Sequence, residues 1–354
     1  MKTVNLLTGV FLLFNSVLWA QTTPQDSLLV YYSKYPRQAI QDADQMYQQA
    51  IQKKDNPLLI KSLILKNTYS LEINRDDYPA LLTKLEDYIQ GEKDIIVKSI
   101  LHSYTAQLYS NYYNNNNYLI RQRTSLKEAA SDDINTWSPN LFEEKIYTHL
   151  TASIAPAEAL QAIPVSTYKA ILITGAASDS LRPTLYDFLG HRALDILSER
   201  LFYYPTLPPK IPLAIFGTAT DFIDASLSTF KQNAAFYSLG IWQKLLAFHQ
   251  KSGNIDALLM NDLERLDYAD RIIQLPNKDS LYLATLQEMR TTYASPPMVV
   301  EVIAKEASLR LNRSKGTTVL PAQERDTKEQ VLALCQGGIE KFPHYNRINL
   351  LYDI

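Results

Sequence analysis

The sequence predicts an all-α fold, a helical-hairpin repeat array with two helical subdomains. Three observations predict it. Apolar residues recur at three-to-four spacing along most of the chain. Only ten glycines occur in 354 residues, and strand-like alternation is nearly absent. A two-helix pattern near the start repeats after 37 or 38 residues.

The elements follow in order. Lys2, the mostly apolar run Val4 to Leu18, and Ala20 before Gln21 read as a secretory signal over 1–20, too short and too interrupted to span a bilayer. The remainder is expected to be exported, periplasmic or outer-membrane-associated, and not membrane-spanning. A first helical repeat domain is expected over 21–202. Ala39, Ile40, Ala43, Met46, Tyr47, Ala50 and Ile51 give one helix face. Asp55-Asn56-Pro57 supplies a cap and a first-turn proline, and the next helix carries Leu59, Ile60, Leu63, Ile64 and Leu65. Leu59–Ile64 then matches Ile96–Leu101 at an offset of 37, which equates Ser62 with Ser99. The preceding helices match at 38, placing Ala43 on Leu81, Tyr47 on Leu85, Ala50 on Tyr88 and Ile51 on Ile89. Two helices per unit of this length is the period of tetratricopeptide-like hairpins, whose apolar faces are buried only by stacking on neighbours.

Asn114 to Asn117 marks a loop, and helices are expected at 140–151, 157–162, 165–173 and from Pro183 onward. Pro205, Pro208, Pro209 and Pro212 then crowd together, so 203–217 reads as a Pro-rich linker. A second helical repeat domain is expected over 218–354, with helices near 236–251, 255–275, 278–294, 298–311 and 327–342. The closing "EKFPHYNRINLLYDI" suggests one more helix, turn and helix, truncation of this domain at its end, and an apolar tip around Ile348, Leu350 and Leu351.

Thirty-five basic and thirty-seven acidic residues nearly balance, which argues against a nucleic-acid partner. "KAILITGAASDSLRP", Lys169 to Pro183, resembles a dinucleotide-binding strand and turn at first sight. It lacks the further glycines, and Asp179 stands where a phosphate should sit, so it reads as a loop between helices. Asp187, His191 and Asp195 are spaced by four and share a helix face. Without a nucleophile motif they read as the polar side of an amphipathic helix. His102, His149, His249 and His344 stand apart in sequence, with no metal-ligand spacing. Tyr104, Tyr109, Tyr112 and Tyr113 crowd one segment, where a groove for a peptide or glycan would be one use and packing between helices the other. Cys335, the single cysteine, falls on an apolar helix position and reads as core. No catalytic, cofactor-binding or metal-ligating residue is assigned, no cofactor is expected, and the chain is read as not an enzyme.

Four segments taken together carry a resemblance: "NPLLIKSLILK" (Asn56–Lys66), "VKSILHSYTAQLYSNYY" (Val97–Tyr113), "DDINTWSPNLFEEKIYTHLTAS" (Asp132–Ser153) and "LRPTLYDFLGHRALDIL" (Leu181–Leu197). In order and spacing they resemble the amino-terminal helical region of exported alpha-2-macroglobulin-like proteins of Bacteroidota. The resemblance implies a non-catalytic scaffold or interaction region of a protease inhibitor. Its protein partner would be its own carboxy-terminal macroglobulin domains or another exported protein. The bait and thioester parts of that family lie beyond its helical region, and Cys335-Gln336 is not a thioester pair because the Gln is adjacent. On this resemblance the chain is expected to be a fragment. The alternative is an independent periplasmic helical-repeat module that binds a peptide or glycan.

Overall fold

The computed structural model describes residues 31–123, 133–172, 175, 177–199, 212–228, 233–316 and 321–354. The expected signal segment and most of the Pro-rich stretch lie outside the described residues. The fold is all-α, with helices packed in pairs and no strand among the described residues. The chain divides into two compact units, Met1–Ile196 and Leu197–Ile354.

In the first unit, α1 (Pro36–Lys53) and α2 (Asn56–Ile73) form a hairpin. Lys54 makes the turn in the left-handed region, φ 54°, returning its N–H to the carbonyls of Ala50 and Ile51. Asp55 then caps α2 by accepting the N–H of Leu58 at 2.9 Å. The second hairpin is α3 (Tyr78–Gly91) with α4 (Ile95–Asn115), where Asp94 accepts the N–H groups of Ile96 and Val97. Asn56, at the head of α2, donates to Asp94 at 2.8 Å, so the second helices of the two hairpins start side by side.

Along the second helices the 37-residue offset matches in burial at Ile60 with Val97, Lys61 with Lys98 and Ser62 with Ser99, but fails at Leu59 with Ile96, Leu63 with Ile100 and Ile64 with Leu101, where one partner is buried and the other partly exposed. For the first helices the register is one residue longer than expected. Ala43 and Ala50 are buried like Leu82 and Ile89, whereas Ile51 is 53% exposed and Ile89 4%. Ile51 lies in the last turn of α1, before its left-handed cap at Lys54, and stands outside the seam.

Between Val97 and Tyr113 all of α4 but Lys98, His102 and Asn111 is buried. It is covered by α2, α3 and α6 (Pro139–Ile154). The short α5 (Asn117–Arg121) follows α4, and α7 (Ala157–Gln161) follows α6. The helix expected over 165–173 is a single 3-10 turn, Val165–Tyr168. The N–H of Val165 is taken by the carbonyl of Pro183 at 2.8 Å, and that of Leu185 by Ile163 at 2.8 Å. This short antiparallel crossing brackets the Gly175 loop and α8 (Ser178–Leu181), then launches α9 (Leu185–Ser198).

In the second unit the end of the expected linker is core. Ile215 and Phe216, in the 3-10 turn Leu213–Phe216, are 0% and 1% exposed. α10 (Ala219–Ile223) starts from a capping box between Thr218 and Asp221. α11 (Ala234–Ser252) and α12 (Ile255–Ile272) form a hairpin through Gly253, whose φ of 72° suits a residue without Cβ. α13 (Lys278–Thr292), α14 (Val299–Gly316) and α15 (Pro321–Lys341) pack in succession. α16 (Asn349–Tyr352) folds back onto α14 and α15. The expected apolar tip is partly absorbed there: Leu351 is buried and lies with Ile303 over Gly338.

Candidate functional site

The richest polar cluster joins three helices of the first unit. Heptad spacing puts His102 and Tyr109 on one side of α4. A four-residue step puts Lys145 and His149 together on α6, and α3 contributes Glu86. His102 and His149 face each other with their Nδ1 atoms 2.9 Å apart and ring centroids 5.0 Å apart. Glu86 accepts from the Tyr109 hydroxyl and from Lys145 Nζ at 3.0 and 3.1 Å, and His149 Nε2 lies 3.5 Å from the same carboxylate. Trp137, in the turn before α6, stacks on Tyr109 with centroids 5.8 Å apart and carries the Lys145 ammonium 5.7 Å from its own ring centre.

The electrostatics follow from this geometry. Hydrogen bonding from His149, then from Tyr109 and Lys145, holds the Glu86 carboxyl at about 2 against the opposing effect of burial. Burial lowers His102 to about 4, helped by the neighbouring His149 and Lys98 and opposed by Glu86. The Tyr109 hydroxyl is pushed up by burial and by donating to Glu86. The array is a carboxylate, an imidazole and a second imidazole in series, joining α3, α6 and α4. Among the described residues no three His, Cys, Asp or Glu side chains could together hold a metal ion.

The row Asp187, His191 and Asp195 departs from expectation. Asp195 is exposed, but Asp187 is fully buried and His191 is 6% exposed. Asp187 accepts the N–H and hydroxyl of Thr184 at 3.0 and 2.7 Å, closing the start of α9, and His191 Nδ1 meets the Asp187 carbonyl at 2.8 Å. Asp187 and His191 are built into the helix and its packing, and only Asp195 stays on a solvated face. Tyr104, Tyr109, Tyr112 and Tyr113 are all buried, at 4, 2, 9 and 0% exposure, so they form core and line no open groove. Cys335 is buried and unpaired by disulfide, and burial raises its thiol.

Sequence reasoning left His102 and His149 apart because 47 residues separate them. The period gave each its helix face, but nothing in a single sequence says which faces meet. No family model, no curated protein and no solved structure matches this chain.

Proposed function

We propose that the chain is a non-catalytic helical scaffold, the amino-terminal helical region of an exported alpha-2-macroglobulin-like protease inhibitor, which engages other protein domains and does no trapping itself. The observation that carries the reading is the agreement in order and spacing of the four segments within Asn56–Leu197. The paired all-helical architecture supports it. So does the use made of the polar side chains: Asp187 closes a helix start and His191 bonds a backbone carbonyl of its own helix. The tyrosines on which a peptide- or glycan-binding face would rest are core residues, so we keep to the scaffold. No described helix is long and apolar enough to cross a membrane.

The test is incubation of the purified chain with a panel of endoproteases, scored on a large protein substrate and a small peptide. The scaffold reading expects both substrates to be cleaved at the rates seen without the chain. Protection of the large substrate while the peptide is still cleaved is the mark of trapping and defeats it. A pull-down with purified macroglobulin domains tests the partner, and retention by the helical chain is expected.

A further inference from the structure

We propose that the His102–His149 pair is a proton-operated latch that holds α6 against α3 and α4 and releases it when the pair takes on a second proton. The geometry permits few protonation states. A neutral imidazole has one N–H donor and one acceptor nitrogen, and an imidazolium has two donors. At 2.9 Å the two Nδ1 atoms share one hydrogen. That arrangement survives when both rings are neutral, with His149 Nε2–H directed at Glu86 and its Nδ1 accepting from His102. It also survives when one ring is cationic. With both rings cationic, two N–H donors and two positive charges point at each other with no acceptor between them, and the contact must open.

The surroundings set when this happens. From α3, Glu86 faces His149, its carboxylate 3.5 Å from Nε2. From α6, Lys145 sits on the same carboxylate, and from α4 Lys98 opposes positive charge on His102. Tyr109 donates to Glu86 and keeps it accepting. His102 is only half-buried, so solvent protons reach it.

The sign is that of a depressed histidine. The latched state holds His102 at about 4 against an ordinary 6.5, so the open state binds the proton more readily. The latch is fully closed above about 6.5 and loses ground as the pH falls towards 4, by up to about tenfold per pH unit for one linked proton. Glu86 is lowered from 4.5 to about 2, so its own loss falls below 4.5 and leaves pH 5 to 6.5 to His102.

Native-state amide exchange of α6 tests the latch. After correction for intrinsic exchange, opening of residues 139–154 should rise by up to about tenfold per unit between pH 6.5 and 5, while helices of the second unit keep a flat profile. In His102→Asn the side-chain amide still reaches His149 but does not titrate, and the slope should vanish. Equal slopes in the two proteins overturn the latch. Should the variant fail to fold, the imidazole resonances of the unaltered protein decide. A His102 midpoint well below 6.5, moving together with α6 opening, supports the latch. A midpoint at 6.5 with α6 still protected overturns it. Slowing of α6 exchange by added Zn²⁺ at pH 7, in the unaltered protein and not in the variant, would make the pair a metal ligand set and also overturn it.

Discussion

In the first unit, Ser62, Thr105 and Ser153 each turn a buried hydroxyl onto a carbonyl three or four residues back in the same helix, at 2.7 to 2.8 Å, and Ser99 does so at 2.9 Å. In the second unit, fully buried Arg265 reaches across fifty residues to the carbonyl of Ile215 at 2.7 Å and to that of Gly217 at 3.0 Å, and pairs with buried Asp262. The hydroxyls are satisfied locally, so each helix presents a small, self-contained face against which a neighbour packs closely. The guanidinium is satisfied only when a distant, irregular segment is in place. Local satisfaction suits hairpins that repeat. Long-range pinning suits a turn such as Leu213–Phe216, which has no ladder of its own to hold it.

The largest expected effect breaks the second mode. Arg265→Leu strips the partner from Asp262, whose carboxyl burial already raises against the pull of the arginine, and takes the donor from the buried carbonyl of Ile215 and the partly exposed one of Gly217. A loss of about 3–5 kcal/mol is expected, the cost of leaving one member of a buried pair uncompensated. It should be read by urea denaturation with amide exchange in α12. Restoration of part of that loss in Arg265→Leu/Asp262→Leu would assign it to the orphaned charge. A loss below about 1 kcal/mol would mean that water reaches the pair and that the contrast between the units is false.

The next effect breaks the first mode from the packing side. Ser62 is 1% exposed on α2, in the unit where the heads of α2 and α4 meet. Ser62→Leu adds about two heavy atoms to a face that works because it is small, and overpacking of this kind costs about 1–3 kcal/mol. Ser62→Leu as stable as the original protein in urea would show that the seam has slack.

How much of this was legible beforehand differs between the two modes, for a physical reason. The hairpins of the first unit were readable because their determinants are local: the cap at Asp55, the proline after it, and an apolar period of helical spacing. The expected first-helix register fails at Ile51, which is exposed where Ile89 is buried, and the turn that follows is made by Lys54, a non-glycine residue in the left-handed region that nothing in the residue type announces. Arg265 and Glu306 look like surface residues in a sequence. Yet Glu306 is 0% exposed, held by Arg290 at 2.7 Å from α13 and by Arg310 at 2.8 Å from α14. The same blindness to which faces meet separated His102 from His149 and made Asp187 look solvated.

A helix glycine gives a smaller and opposite effect. Gly337 and Gly338 are neighbours on α15, yet a Cβ at Gly337 meets nothing within 4 Å, while one at Gly338 lies 2.6 Å from Leu351 Cδ1 and 3.2 Å from Ile303 Cδ1. Gly337→Ala should therefore stabilise the second unit by up to about 1 kcal/mol through helix propensity alone. Gly338→Ala should gain less, because two side-chain ends must move. Equal gains in thermal denaturation would mean that α16 does not sit on α15 as described.

The smallest expected effect sharpens the comparison most, because it asks for almost nothing. The Ser99 hydroxyl donates to the Ile95 carbonyl, which stands four residues back where the helix ladder itself supplies a donor. Removing the hydroxyl in Ser99→Ala leaves that carbonyl bonded, strands no partner and opens no more than an oxygen-sized gap. A net hydrogen bond is worth about 0.5–1.5 kcal/mol at most, and alanine returns a few tenths of a kcal/mol as the better helix former. The two nearly cancel, so the urea midpoint should shift by no more than about 0.5 kcal/mol in either direction. Ser99 is as deeply buried as Asp262, at 1% against 2%. The contrast with the several kcal/mol expected when Asp262 loses its arginine therefore cannot come from depth. It comes from whether the buried group depends on its own helix or on a distant segment, and a loss near 3 kcal/mol in Ser99→Ala would erase that distinction.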